Sequence, residues 1–60
     1  MIKVGQKVRI HHGDEFEEGV VKFVHYSHRW FSVEHGTDEY KWRTGFKFDE
    51  IGKKIKIVKG

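Results

Sequence analysis

Sixty residues with a net charge of +3 and neither cysteine nor proline make at most one small domain, without disulfides or a cysteine-based zinc site to hold it. Its core has to come from nine aromatic residues (five Phe, two Tyr, two Trp) among Val and Ile, since Leu and Ala are absent, and that choice of residue types predicts strands throughout. No apolar run approaches the ~20 residues that cross a bilayer, and the segment after Met1 lacks the apolar stretch of a signal peptide, so the expected location is cytoplasmic.

The first strand is predicted over residues 7–11, after Gly5-Gln6, with Val8 and Ile10 inward and Lys7, Arg9 and His11 outward. His12 to Glu18 read as a polar loop interrupted by Phe16, which is expected to tuck against the sheet edge. The second strand, over 19–26, carries apolar side chains on both faces at Val20-Val21-Lys22-Phe23-Val24. A long strand that bends midway, with a bulge or coil near Lys22, serves two halves of a barrel and uses both faces, with Val21 and Val24 expected inside. Ser27-His28-Arg29 make the next turn.

The third strand, over 30–34, points Phe31 and Val33 one way and Trp30, Ser32 and Glu34 the other. His35-Gly36-Thr37-Asp38 is a hairpin connection with glycine where a positive φ is needed. From residue 39 to 44 or beyond, Tyr40, Trp42, Thr44, Phe46 and Phe48 keep a period of two, with Lys41, Arg43 and Lys47 in the opposite set. Asp49-Glu50-Ile51-Gly52 reads as one helical or 3₁₀ turn, acids at its start and glycine at its exit. The last strand, over 53–58, repeats in Lys54-Ile55-Lys56-Ile57 the basic and β-branched alternation of Lys7-Val8-Arg9-Ile10.

Five short strands with a tight turn before the fifth resemble the SH3-like barrel, and within it the small KOW and Tudor-type domains. The likeness rests on Gly5-Gln6-Lys7-Val8-Arg9-Ile10 and Gly19-Val20-Val21-Lys22-Phe23-Val24, which look like the G-x-x-V-x-V opening and G-x-V-x-x-V second strand of those families. Phe31-Ser32-Val33 and Asp49-Glu50-Ile51-Gly52 extend it. A peptide-binding SH3 domain matches less well, because the adjacent tryptophan pair and tyrosine-rich first loop are missing, and a Tudor aromatic cage does not align residue by residue. A free-standing barrel of this length is also similar to small phage or plasmid accessory proteins. The resemblance implies an all-β, five-stranded SH3-like barrel over residues 1–60, with a short 3₁₀ turn before the last strand; it speaks to fold rather than activity.

In such a barrel the first and last strands pair, so Lys7 and Arg9 neighbour Lys54 and Lys56, with Lys53 and Lys59 at the ends. Spaced cations of this kind suit phosphates, and each neutralised phosphate releases counterions. The plainer reading is a solubilising face that guards strands from aggregation, and twelve Lys and Arg against nine Asp and Glu is an ordinary surface. The acids concentrate in Asp14 to Glu18, Asp38-Glu39 and Asp49-Glu50, all read as loops or turns. Phe23, Tyr26, Trp30 and Trp42 cannot all fit inside so small a barrel. By phase Trp42 is expected in the core and Trp30 at the surface, where a ring beside Lys41, Arg43 or Arg29 offers a stacking platform for bases or an anchor for a protein.

The five histidines (His11, His12, His25, His28 and His35) follow no metal-ligand spacing and read as surface residues that add positive charge in mild acid. With Ser27, Ser32, Thr37 and Thr44 as the hydroxyls besides tyrosine, and no Gly-rich phosphate loop, neither catalysis nor a cofactor is expected. The expected function is a non-enzymatic module that binds nucleic acid through Lys7, Arg9, Lys53, Lys54, Lys56, Lys41, Arg43 and Trp30. The alternatives are a protein-interaction adaptor using an aromatic patch or sheet edge, and a weak homo-oligomer that completes a meagre core.

Overall fold

The five expected strands form in chain order: β1 (Lys7–His12), β2 (Glu15–His25), β3 (Trp30–Gly36), β4 (Lys41–Lys47) and β5 (Ile55–Ile57). They come from a computed structural model that describes residues 2–58, and Lys59, expected at the end of the last strand, lies outside those residues. All pair antiparallel in one sheet of order β4-β3-β2-β1-β5. The first and last strands are neighbours, with Val8, Arg9 and Ile10 opposite Ile57, Lys56 and Ile55. Among the described residues nothing pairs β4 with β5, so the sheet is not closed.

The polar stretch from His12 to Glu18 is not the loop its composition predicts. β1 continues to His12 and β2 begins at Glu15, with only Gly13 and Asp14 between them and Gly13 at φ +61°. The hairpin tip therefore pairs His12 with Glu15 and His11 with Phe16. A two-stranded tip standing clear of the core buries little, so its sequence is free to stay polar and carries no apolar alternation to betray the strand.

The bulge falls where the apolar phase breaks. The β2–β3 register shifts between Val21 and Phe23, leaving Lys22 as the extra residue. Val21 faces Val33 before the bulge, and Val24 faces Phe31 after it, so both valines point to the same side. The N-terminal segment docks here as well: the Gly5 amide donates to Val21 O at 2.8 Å and the Val21 amide to Gln6 O at 2.9 Å.

Inward positions of every strand meet in a core of Val8, Ile10, Val21, Phe31, Val33, Phe46 and Ile55, joined by Ile2 from the N-terminal segment. The Tyr26 hydroxyl donates to Ile2 O at 2.8 Å and ties that segment down. Val24, Phe48, Ile51 and Ile57 pack around this core, and the 3₁₀ turn Phe48–Glu50 delivers Phe48 and Ile51 to it. Gly52, at φ +90°, then turns the chain into β5.

Trp42, expected in the core, is 57% exposed. Its phase is as read, since Trp42, Thr44 and Phe46 lie opposite His35, Val33 and Phe31 on the inward side. Only Phe46 reaches the core; β4 is an edge strand of an unclosed sheet, so no layer covers Trp42. Trp30, expected at the surface, is half-buried because it leans on Phe23, with ring centroids 5.4 Å apart.

Gly19 is the tightest point of the β2–β3 contact: a Cβ there would meet Val33 Cγ1 at 2.5 Å and Glu34 O at 3.0 Å. Gly19→Ala is expected to cost about 1–3 kcal/mol by overpacking. Gly45→Ala, whose Cβ finds only Trp30 Cε3 at 3.9 Å, is expected to leave stability unchanged. Urea denaturation of both variants checks the contrast.

Candidate functional site

Residues directly opposite one another in an antiparallel sheet share a face, so the registers assign the outer face residue by residue. Core positions occupy one side, and the other carries the following rows. Arg9 stands between Lys56 on β5 and Glu18 on β2. Lys7 stands beside Val20, which lies opposite Glu34, which in turn lies opposite Arg43. Beyond the bulge, Phe23 lies opposite Ser32, and His25 opposite Trp30, which lies opposite Lys47.

Lys7, Arg9, Lys56, Lys41, Arg43 and Trp30 thus come to one face, as the sequence reading requires. Lys54 joins them at the margin, where its carbonyl accepts from the His11 amide at 2.8 Å. Lys53 is exposed in the turn before β5, off the paired strands. Two acids interrupt the cations. Glu18 faces Arg9 across the strands, and Glu34 lies 3.9 Å from Lys41 Nζ and 3.8 Å from Arg43 Nε. Exposed pairs at such lengths add little stability and leave the face with a positive excess.

Sequence reading missed three members of this face. Phe23 is 46% exposed and packs with Trp30 and His25, whose ring is stacked 5.9 Å from Trp30. The bulge hid it, because the phase of Phe23 follows from whether Lys22 is counted in the ladder. Lys47 lies next to Trp30 and shares the period-two set of Lys41 and Arg43, so the signal was present. Phe16, 53% exposed, lies under the Arg9 guanidinium at 4.9 Å. That contact replaces the expected tucking of Phe16 against an edge and holds the Arg9 side chain over the face.

At the hairpin end of the inward side stands a second polar group. Glu17 Oε1 lies 2.8 Å from His12 Nε2 and 3.0 Å from His35 Nδ1, the latter off the hydrogen-bond axis, while His35 Nε2 is 2.6 Å from Thr44 Oγ1. The hydrogen bond from His12 holds the Glu17 carboxyl below its ordinary value of 4.5, with His35 adding to the effect and desolvation opposing it. The unfolded chain therefore binds more protons at this position. The stabilisation is fully present above about pH 4.5 and is lost as pH falls through the lowered folded-state value. Glu17→Gln is expected to flatten the fall in urea midpoint between pH 5 and pH 3; a decline as steep as that of the parent protein would place the acid sensitivity elsewhere. Among the described residues no three His, Asp or Glu side chains converge as a metal ion needs.

No family model matches the chain, and neither the curated proteins nor the solved structures contain a match to it.

Proposed function

We propose that this chain is a small, non-enzymatic binding module of the SH3-like class that holds single-stranded nucleic acid on the outer face of its sheet. The strand order, with the first and last strands paired and β2 bent at a bulge to serve two halves, supports the assignment to that class. The observation that carries the function is the placement of Phe23 and Trp30 on the same face as Lys7, Arg9, Lys56, Lys41, Arg43 and Lys47. Strands β1 and β5 bring one set of cations and β4 the other, with the rings on β2 and β3 between them. Neighbouring strands stand about 4.8 Å apart, so β1 and β4 are roughly 14 Å apart along the sheet. Bases stacked on the central rings then have cations on either side for their phosphates.

The test is fluorescence anisotropy with labelled oligothymidylate across a salt series. Affinity is expected to fall linearly on a logarithmic salt scale. Trp30→Ala is expected to weaken binding by about 1–3 kcal/mol, the worth of one stacked base. Trp42→Ala is expected to leave it unchanged, since that ring stands on the other side of the sheet. Absence of binding at 50 mM salt would remove the proposal.

A further inference from the structure

Along the edge of β4 the outward hydrogen-bonding groups of Lys41, Arg43 and Gly45 have no partner among the described residues, whereas the Lys47 amide donates to Glu50 Oε1 at 3.2 Å. The β3–β4 ladder keeps one register from Trp30 opposite Lys47 to Gly36 opposite Lys41, and two bonds set its phase. The Phe48 amide donates to Arg29 O at 3.0 Å, and the Thr37 amide to Tyr40 O at 2.8 Å. Hydrogen-bonded pairs alternate in an antiparallel ladder, so Trp42, Thr44 and Phe46 spend their backbone groups on β3. The N–H and C=O of Lys41, Arg43, Gly45 and Lys47 point away from the sheet. The β5 edge differs: it is three residues long, and the Ile55 carbonyl is already taken by the Gly52 amide at 2.7 Å.

Side chains on the two faces of this edge are equally uneven. Outward stand Lys41, Arg43 and Lys47, with Gly45 leaving a gap; inward stand Trp42 and, just before the strand, Tyr40, 57% and 67% exposed and stacked with centroids 6.5 Å apart. Glu34 is the one acid facing two of the three cations. A second copy is a poor occupant. Antiparallel self-pairing centred on Thr44 sets Lys41 against Lys47 twice, and like charges directly opposite destabilise a ladder.

We propose that the β4 edge takes up an extended peptide in which acidic and apolar side chains alternate, adding it as a sixth strand. Each acid falls on the outer face against Lys41, Arg43 or Lys47, and each apolar side chain falls on the inward face against Trp42 and Tyr40. Backbone bonds to Lys41, Arg43 and Gly45 supply the attachment, and the side-chain alternation supplies the choice of sequence. The proposal stands apart from the nucleic-acid reading, because it depends on outward backbone groups that an oligonucleotide does not need.

The experiment is amide hydrogen exchange by NMR with an alternating Glu/Val heptapeptide, its Lys/Val counterpart and a Glu/Gly heptapeptide of equal charge. The Glu/Val peptide is expected to slow exchange at Lys41, Arg43 and Gly45 at least tenfold, with no slowing by the other two. Gly45→Pro removes an outward donor at a position where an edge strand tolerates proline, and is expected to abolish the protection while oligonucleotide binding persists. Arg43→Glu with Lys47→Glu is expected to turn the preference toward the Lys/Val peptide. Equal effects of the Glu/Gly peptide, shifts confined to Lys7, Arg9 and Lys56, or sedimentation as a dimer paired through β4 would each overturn the proposal. If Gly45→Pro does not fold, the exchange pattern of the parent protein decides alone.

Discussion

Phe31→Ala is expected to leave most of the chain unfolded at 25 °C. Phe31 is fully buried, lies opposite Val24 on one side and Phe46 on the other, stacks with Phe46 at 5.9 Å between centroids, and meets the tilted Phe48 ring at 6.0 Å. Truncating a buried Phe costs about 3–5 kcal/mol, the lost transfer energy plus the cavity left behind. A chain of this length has only about 3–9 kcal/mol to lose. The core has few members that can close the gap, since among the described residues the largest fully buried side chains are Phe31, Ile55, Val8, Val21 and Val33. Circular dichroism with urea titration reads the result. A cooperative transition within about 1 kcal/mol of the parent would show that Phe31 is not the keystone its position implies.

The second large effect concerns the outer face. Arg9→Glu combined with Lys56→Glu is expected to lower affinity for oligothymidylate about a hundredfold at 50 mM salt, and to reduce the slope of log affinity against log salt by about 1.4, two phosphate contacts at 0.7 each. The two residues are opposite one another in the β1–β5 ladder and both are exposed, so the change alters charge without touching the core. It also sets three acids in one row with Glu18, a cost of under about 1 kcal/mol to folding. Lys3→Glu with Lys53→Glu is the control. It takes the net charge from +3 to −1 in the same way, four units down, from positions off the paired strands. The control is expected to stay within about threefold of the parent at the same salt. Equal losses in the two variants would make net charge responsible and dismiss the face.

The outer face and the free β4 edge share Arg43 and Lys47 but use them differently. For a polyanion they are point charges that weaken with salt; for an added strand they stand guard over backbone groups and select an acidic partner. Like charges set opposite one another by self-pairing of this edge are unfavourable, which is the basis of the proposal that an acidic peptide rather than a second copy pairs there.

Much of the fold can be read from alternation alone. Val8 and Ile10, Phe31 and Val33, and Ile55 announce inward faces because a side-chain period of two has to match the sheet pleat wherever one face is buried. The break of phase at Lys22 announces a bend for the same reason, whereas the pairing of the two basic end strands is what the resemblance to the SH3-like barrel implied. Exposure is another matter. Trp42 has the right phase and the wrong surroundings, because burial depends on whether something lies in front of a residue, and an edge strand has nothing there. The β1–β2 hairpin tip escaped notice because polar residues beyond the core carry no periodic signal. His12, Glu17, His35 and Thr44 come from four different strands and meet only when the registers of β1 with β2, β2 with β3 and β3 with β4 are set.

Composition and alternation by themselves determined that this chain is all-β, where its strands run apart from the β1–β2 hairpin tip, which side of most of them is dry, and that its cations concentrate on the wet side. Tertiary structure alone decided that the sheet stays open between β4 and β5, that Phe23 joins Trp30 on the basic face, and that the outward backbone groups of Lys41, Arg43 and Gly45 lack a partner among the described residues. The physical reason is that periodicity reports only which side of a strand a residue takes, a local property of the backbone. Edges, open ends and neighbours across the sheet follow from which strand lies next to which, and that is settled by packing the whole chain at once.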